Sequence, residues 1–328
     1  MSLLTKTINN KPIMTMENSC KKKILIWMTI LIIAIFVYTS LVLRINQETF
    51  MDIFSSRWFT VTYQQPHNFS YIHLTNNCSD SVQILVAVCS APINLLHRNT
   101  IRETWGQYAR NNSNFKMVFF EGVKHSPNVQ DDINEESVKY GDIVQENYID
   151  HYENLSLKSV AYLRWVSSSC RKVKFVLKTD DDMYINLPLL EKTLMNMKRS
   201  RFIMGLVFKH VAPIRDSSSK WYTPKSKYPK NEFPEYVSGT AYLISGDIVP
   251  ELYAESFNEK LFWLEDVYIT GMLANRVNAT RINSGKFTIY NKQHTGCAYK
   301  NMISGHHVTP RNMKIIYQQL QNVTLVCH

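Results

Sequence analysis

The run Phe175-Val176-Leu177-Lys178-Thr179-Asp180-Asp181-Asp182-Met183-Tyr184-Ile185 restricts the possible folds of this chain more than any other stretch. β-prone residues lead into three consecutive carboxylates, and apolar residues resume at once, the pattern of a buried strand with an acidic end. Carboxylates at the C-terminal end of a strand fall in the crevice where open α/β sheets hold ligands. Adjacent Asp side chains repel one another, and burying them unpaired is costly. A hard divalent cation with oxygen ligands, itself holding a phosphate, meets both demands. The competing reading of the triplet alone is a solvated acidic turn.

The flanking pattern supplies a sheet around that strand. Apolar runs at 82–88, 116–123, 142–144, 202–208 and 236–245 read as further strands. Helical spacing covers 95–105, 134–140, 156–168, 189–197, 266–276 and 310–321. Strand and helix in alternation predict a mostly parallel sheet with helices on both faces. After residue 210 the rhythm breaks into an aromatic, proline-rich loop over 215–236, containing Lys220, Trp221 and Tyr222. Long irregular loops inside a domain are usually functional or disordered. Sugars stack on aromatic faces, so this loop could be an acceptor platform or could simply pack.

Other candidates have plain structural readings beside the functional ones. Arg98 and Arg102 are four apart on one helical face and could meet a diphosphate; a solvated face is the simpler reading. The pair Glu265-Asp266 opens a helix, where the macrodipole favours acids. The functional reading of Asp266 is a general base. His294, His306 and His307 are more readily structural than ligands. The chain shows no Gly-rich phosphate loop, no nucleophile elbow, no internal repeat and no zinc-type cysteine spacing.

The N-terminal region sets the compartment. Residues 24–43 are twenty in a row without a charge, the length of a membrane-spanning helix. Lys21-Lys22-Lys23 precede the run and only Arg44 follows closely, which keeps the N-terminus cytoplasmic. This predicts a tail at 1–23, a single-pass type II anchor at 24–43, a stem at 44–80 and a lumenal domain at 81–328. Sequons then belong on the lumenal side, and all six (Asn68, Asn77, Asn111, Asn154, Asn278, Asn322) lie beyond the run. So do five cysteines, an odd number that leaves one free or paired between chains. The first 23 residues hold five Lys against one Glu and so carry much of the net +10. The rest has no long basic run, and nucleic acid is not an expected partner.

Several motifs together resemble the β-1,3-galactosyltransferases of glycosyltransferase family 31, relatives of the β-1,3-N-acetylglucosaminyltransferases and Fringe. They are Arg98 with Ile101-Arg102-Glu103-Thr104-Trp105-Gly106, Gly141-Asp142-Ile143-Val144, Asn154-Leu155-Ser156-Leu157-Lys158 and Lys178-Thr179-Asp180-Asp181-Asp182. Pro213-Ile214-Arg215, Lys220-Trp221, Tyr228-Pro229, Ser238-Gly239-Thr240 and Glu265-Asp266-Val267-Tyr268 complete the series, over roughly 82–320. The resemblance implies a GT-A fold, a Rossmann-like nucleotide-sugar sheet with an acceptor-binding half, anchored in the Golgi membrane. It implies inverting transfer of galactose from UDP-galactose to the 3-hydroxyl of an acceptor sugar on glycoprotein or glycolipid. UDP-GlcNAc or UDP-GalNAc as donor is the nearest alternative, and an inactive lumenal glycan-binding relative is an alternative of another class.

By the same resemblance Mn²⁺ sits on Asp182, with His306 completing its shell, and Asp266 is the catalytic base. Donor contacts are expected from Ser90, Arg98, Arg102, Asp180 and Asp181. Acceptor contacts are expected from Trp221, Tyr222, Gly239 and Glu265. The family commonly has cysteines where Val237 and Gly305 stand here. Their joint absence implies that the pairs left are Cys78–Cys170 and Cys297–Cys327, with Cys89 free.

Overall fold

The computed structural model describes residues 68–328 apart from 196, 198, 291, 323 and 328, together with Ile35 and Thr39. The tail, almost all of the anchor and most of the stem therefore lie outside the described residues. Among the described residues no helix is long and apolar enough to cross a membrane. The folded unit is 65–328. In chain order it contains β1 (Tyr71–His73), β2 (Ile84–Cys89), α1 (Leu95–Glu103), α2 (Gly106–Asn111), β3 (Phe115–Val123), α3 (Pro127–Tyr140) and β4 (Ile143–Ile149). Then come α4 (Leu155–Ser169), β5 (Phe175–Asp180), β6 (Tyr184–Ile185), α5 (Leu187–Leu194), β7 (Phe202–Gly205) and β8 (Val207–Phe208). The remainder is β9 (Tyr236–Val237), β10 (Ala241–Ser245), α6 (Val249–Glu255), a π-helical segment Val267–Leu273, β11 (Thr280–Asn283), β12 (Ser304–Gly305) and α7 (Pro310–Gln321), with single turns between.

Eight strands form one sheet in the order β1-β4-β3-β2-β5-β10-β7-β11. The four central strands β4, β3, β2 and β5 are parallel, as the alternation predicts. Every residue of β2 is buried, because a parallel strand has helices on both its faces. One face packs Leu85, Ala87, Val176 and Tyr242 against α4, α6 and the π-helical segment. The other packs Val86, Val88, Leu177 and Leu243 against α1, α5 and α7.

The parallel rule fails beyond β5. Strand β10 runs antiparallel to both β5 and β7. The chain returns to it through the irregular 209–235 stretch, and an antiparallel neighbour needs no crossover helix. The single strands expected at 202–208 and 236–245 are each broken, at Leu206 and at Ser238-Gly239-Thr240. The second break matters, since it places Gly239 beside the site.

The expected boundary at residue 80 is too late. Strand β1 pairs with β4, Phe69 is buried edge-on to Tyr148, and Cys78 is bonded to Cys170. Residues 68–80 are thus part of the folded unit; a three-residue edge strand carries too little alternation to announce itself. Helix α3 likewise starts earlier than expected, at Pro127 in its first turn, and stops at Gly141, whose φ of 61° suits glycine. Its mostly solvated face hides its length.

The disulfides are Cys78–Cys170 and Cys297–Cys327, and Cys89 is free and buried. Of the six sequon asparagines, five are exposed. Asn154 is the exception: it is buried at the start of α4, and its Nδ2 donates to the Ile149 carbonyl at 2.9 Å. A glycan on that nitrogen would require this contact to open, so the folded chain does not favour Asn154 as a glycosylation site.

Candidate active site

Strand β5, held between β2 and β10, delivers the Asp triplet at the C-terminal end of the parallel strands. The three side chains go different ways. Asp180 lies 2.6 Å from Lys178 Nζ, and burial pushes its carboxyl up to about 6 against the pull of that ammonium. Asp181 turns inward, accepting from Ser90 Oγ at 2.7 Å, Asn94 Nδ2 at 2.9 Å and the Ala91 N–H at 3.3 Å. It ties the β2–α1 turn to the triplet. Asp182 points to the other side, where its carboxylate meets His306 Nε2 at 3.2 Å and His307 Nδ1 at 3.7 Å.

The imidazoles arrive there because β12 pairs with β6 and the Val308 N–H donates to the Asp182 carbonyl at 2.8 Å. Their rings stack with centroids 3.7 Å apart. Burial works against the Asp182 charge, but the His306 hydrogen bond and the two imidazoles outweigh it and hold the carboxyl below the usual range. One ligand atom from each of Asp182, His306 and His307 lies within 4.8 Å of the others.

Arg98 and Arg102 are neither a solvated face nor an open diphosphate clamp. Arg98 is fully buried; it grips Glu136 at 2.6 Å and donates to Ser90 Oγ at 3.0 Å, the Ala91 carbonyl at 2.7 Å and the Pro92 carbonyl at 3.2 Å. Arg102 pairs with Glu136 at 2.6 Å and Asp142 at 2.8 Å. Their acidic partners come from β3, α3 and the turn after it, with Glu121 3.0 Å from Arg98, which a single-helix reading cannot see. Lys158 Nζ takes the Ser90 carbonyl at 2.5 Å. Ser90 and its neighbours are therefore fixed by Arg98, Asp181 and Lys158.

The second carboxylate opens the π-helical segment. Asp266 Oδ1 accepts from the Val267 N–H at 2.9 Å and Oδ2 from the Gly239 N–H at 3.3 Å. Burial, then the neighbouring Glu265, push its carboxyl up to about 7, against the two backbone donors and Lys178. Thr270 Oγ1 bonds the Asp266 carbonyl at 2.6 Å and both the N–H and the carbonyl of Val237, which locks the π-helical segment to β9. π-helical turns are frequent at functional sites because they redirect one side chain.

Glu265 is buried, with Oε1 taken by Ser159 Oγ and Tyr242 Oη, each at 2.6 Å, while Oε2 lies toward Gly239. It backs Asp266 from inside. At Gly239 a Cβ would lie 3.0 Å from Glu265 Oε2 and 3.2 Å from Asp266 Cβ. Gly239→Ala therefore displaces Asp266, and we expect turnover to fall about 10–100-fold. Steady-state kinetics beside a thermal unfolding curve check that the loss is in rate and not in folding.

Trp221 and Tyr222 are 44% and 37% exposed. Trp221 Nε1 donates to Tyr152 Oη at 3.1 Å, and Tyr152 meets Trp263 edge-on at 6.4 Å. Sequence reasoning did not single out Tyr152, Trp263, Asn94, His307 as a ligand, or Lys178. Only Lys178 carried a signal: a lysine inside an apolar strand has to be paired.

Residues 96–285 match the family described as Galactosyltransferase. The chain is 33% identical over 267 residues to β-1,3-galactosyltransferase 1 of Homo sapiens, spanning 78% of this chain and 80% of that protein. It is 31% identical over 265 residues to β-1,3-galactosyltransferase 5 of Homo sapiens, spanning 79% and 85%.

Proposed function

The chain belongs to the galactosyltransferase family, and from that premise we propose an inverting β-1,3-galactosyltransferase that uses UDP-galactose and the 3-hydroxyl of a sugar on glycoprotein or glycolipid. The observation that carries the reading is the chain of contacts that links the two carboxylate sites through Lys178 and Gly239. Asp180, next to the Asp182–His306–His307 cluster, shares Lys178 with Gly239 and Glu265, and Gly239 in turn holds Asp266.

A carboxylate with two imidazoles within a few ångströms suits a divalent first-row ion such as Mn²⁺. Asp182, His306 and His307 would hold it, and it would offset negative charge on the departing UDP. The chain's own residues do the rest. Exposed Trp221, Tyr222 and Tyr152 offer aromatic faces on which an acceptor ring can lie. Asp266, with one backbone N–H on each carboxylate oxygen, takes the proton of the acceptor 3-hydroxyl as that oxygen bonds to the anomeric carbon. The bond from that carbon to the phosphate oxygen breaks on the opposite face, so an α-linked donor gives a β product. The proton then leaves Asp266 for solvent.

The raised Asp266 carboxyl gives a pH prediction. A base must be deprotonated, so kcat/KM is half-maximal near pH 7, levels off about one unit above it, and falls tenfold per unit well below it. A profile flat down to the ordinary carboxylate range contradicts the assignment. The donor is tested with the full-length chain, Mn²⁺, a panel of UDP-sugars and a mixed acceptor array. Galactose transfer is expected; exclusive use of UDP-GlcNAc would move the chain to the neighbouring specificity.

The uncharged 24–43 run, five exposed sequons and two disulfides support a single-pass type II protein with its catalytic unit in the lumen, and the family resemblance adds the Golgi membrane as its place.

A further inference from the structure

Lys178 lies in the strand that carries the Asp triplet, and its side chain is only 4% exposed. A buried ammonium keeps its charge only when it is paired and hydrogen-bonded. Here the partners come from the strand of the Asp triplet and from the Gly239 and Glu265 segments. Nζ sits 2.6 Å from Asp180 Oδ1 on the donor side. It donates to the Gly239 carbonyl on the acceptor side and stands 3.9 Å from Glu265 Oε2. The Tyr242 ring closes over it at 5.7 Å. Gly239 is thus gripped twice, by Lys178 at its carbonyl and by Asp266 at its N–H.

We propose that Lys178 is a positioning residue that joins the two halves of the site and supplies the fixed positive charge that keeps Asp266 available as a base. The inference rests on the reading of Asp266 given above. Around Lys178 and Asp266 stand three carboxylates, of Asp180, Glu265 and Asp266, against this one ammonium. Asp266 is faced by Glu265 and the Val267 N–H on its own segment. From other elements it is faced by the Gly239 N–H, Lys178 on β5, Tyr236 on β9 and Tyr152 ahead of α4. Lys178 is the only cation among them. Burial opposes its charge, but Asp180 and Glu265 outweigh burial and hold it protonated. Without it, Glu265 and the low-polarity surroundings both favour a protonated Asp266, which cannot accept a proton.

The test compares pH profiles of kcat/KM for the full-length chain, Lys178→Met, Lys178→Gln, Lys178→Arg and Asp266→Asn. Glutamine is neutral but keeps N–H donors for Gly239 and Asp180, so it stands in where methionine disrupts folding. The neutral variants are expected to move the acid limb up by about one pH unit or more. Their activity falls about fivefold or more at neutral pH and recovers as pH rises. Lys178→Arg keeps the charge and keeps the limb in place. A folded neutral variant whose limb does not move overturns the proposal. So does an arginine variant that folds while neither neutral variant does, because Lys178 then acts on stability alone. Asp266→Asn separates the two claims. If it turns over like the parent, the base assignment fails and takes this inference with it. If it is inactive while the limb of a neutral Lys178 variant stays put, only the inference fails.

Discussion

Asp266→Asn is expected to lose about 10²–10⁴-fold in transfer rate while binding UDP as the parent does. The substitution is nearly isosteric, and its side-chain oxygen can still accept from the Gly239 or Val267 N–H, so the π-helical segment keeps its start. Only the ability to take a proton is removed. Burial and Glu265 already hold this carboxyl high, which marks it as a group adapted to exchange protons near neutrality. The measurement pairs single-turnover transfer with calorimetric UDP binding in Mn²⁺. Turnover equal to the parent's would remove Asp266 from the reaction.

Asp182→Ala is expected to weaken Mn²⁺-dependent UDP binding by at least about 100-fold, leaving metal-independent binding unchanged. Among the described residues Asp182 is the carboxylate that reaches both imidazoles, and alanine removes that anionic partner from His306 and His307. Asp180 is a poor substitute, because its Oδ1 is held by Lys178. So is Asp181, because it is bonded into the β2–α1 turn. Calorimetric titration of UDP with and without Mn²⁺ checks this; an unchanged metal dependence would place the ion elsewhere. The contrast between the two variants is itself informative, since one separates binding from chemistry and the other does not.

What the sequence reveals and what it hides divide along the range of the interactions. The strand into the Asp triplet, the four-stranded parallel centre and the helices on both faces are local patterns, and 175–177 or 84–88 announce them by composition alone. The disulfide pairs followed from resemblance, not from spacing. The buried state of Arg98 and Arg102 was hidden because Glu136 and Asp142 sit far along the chain. The approach of His306 to Asp182 depends on a two-residue pairing of β12 with β6, too short to read. The same holds for β1, which draws residues 68–80 into the domain, and for the turn at Gly239 that brings the backbone against Asp266. Glu265 illustrates the remaining difficulty. Adjacent acids look equivalent in sequence, yet one is bonded inward to Ser159 and Tyr242 while the other is left to act.

The proposed chemistry is a single displacement at the anomeric carbon, with Asp266 on one side of the sugar and the UDP on the other. The product of UDP-galactose and a defined acceptor, formed by the full-length chain and read by proton NMR for anomer and linkage, tests it most directly. A β-linked galactose on the acceptor 3-hydroxyl is the predicted result. An α-linked product would contradict it, because one displacement assisted by one base cannot retain configuration.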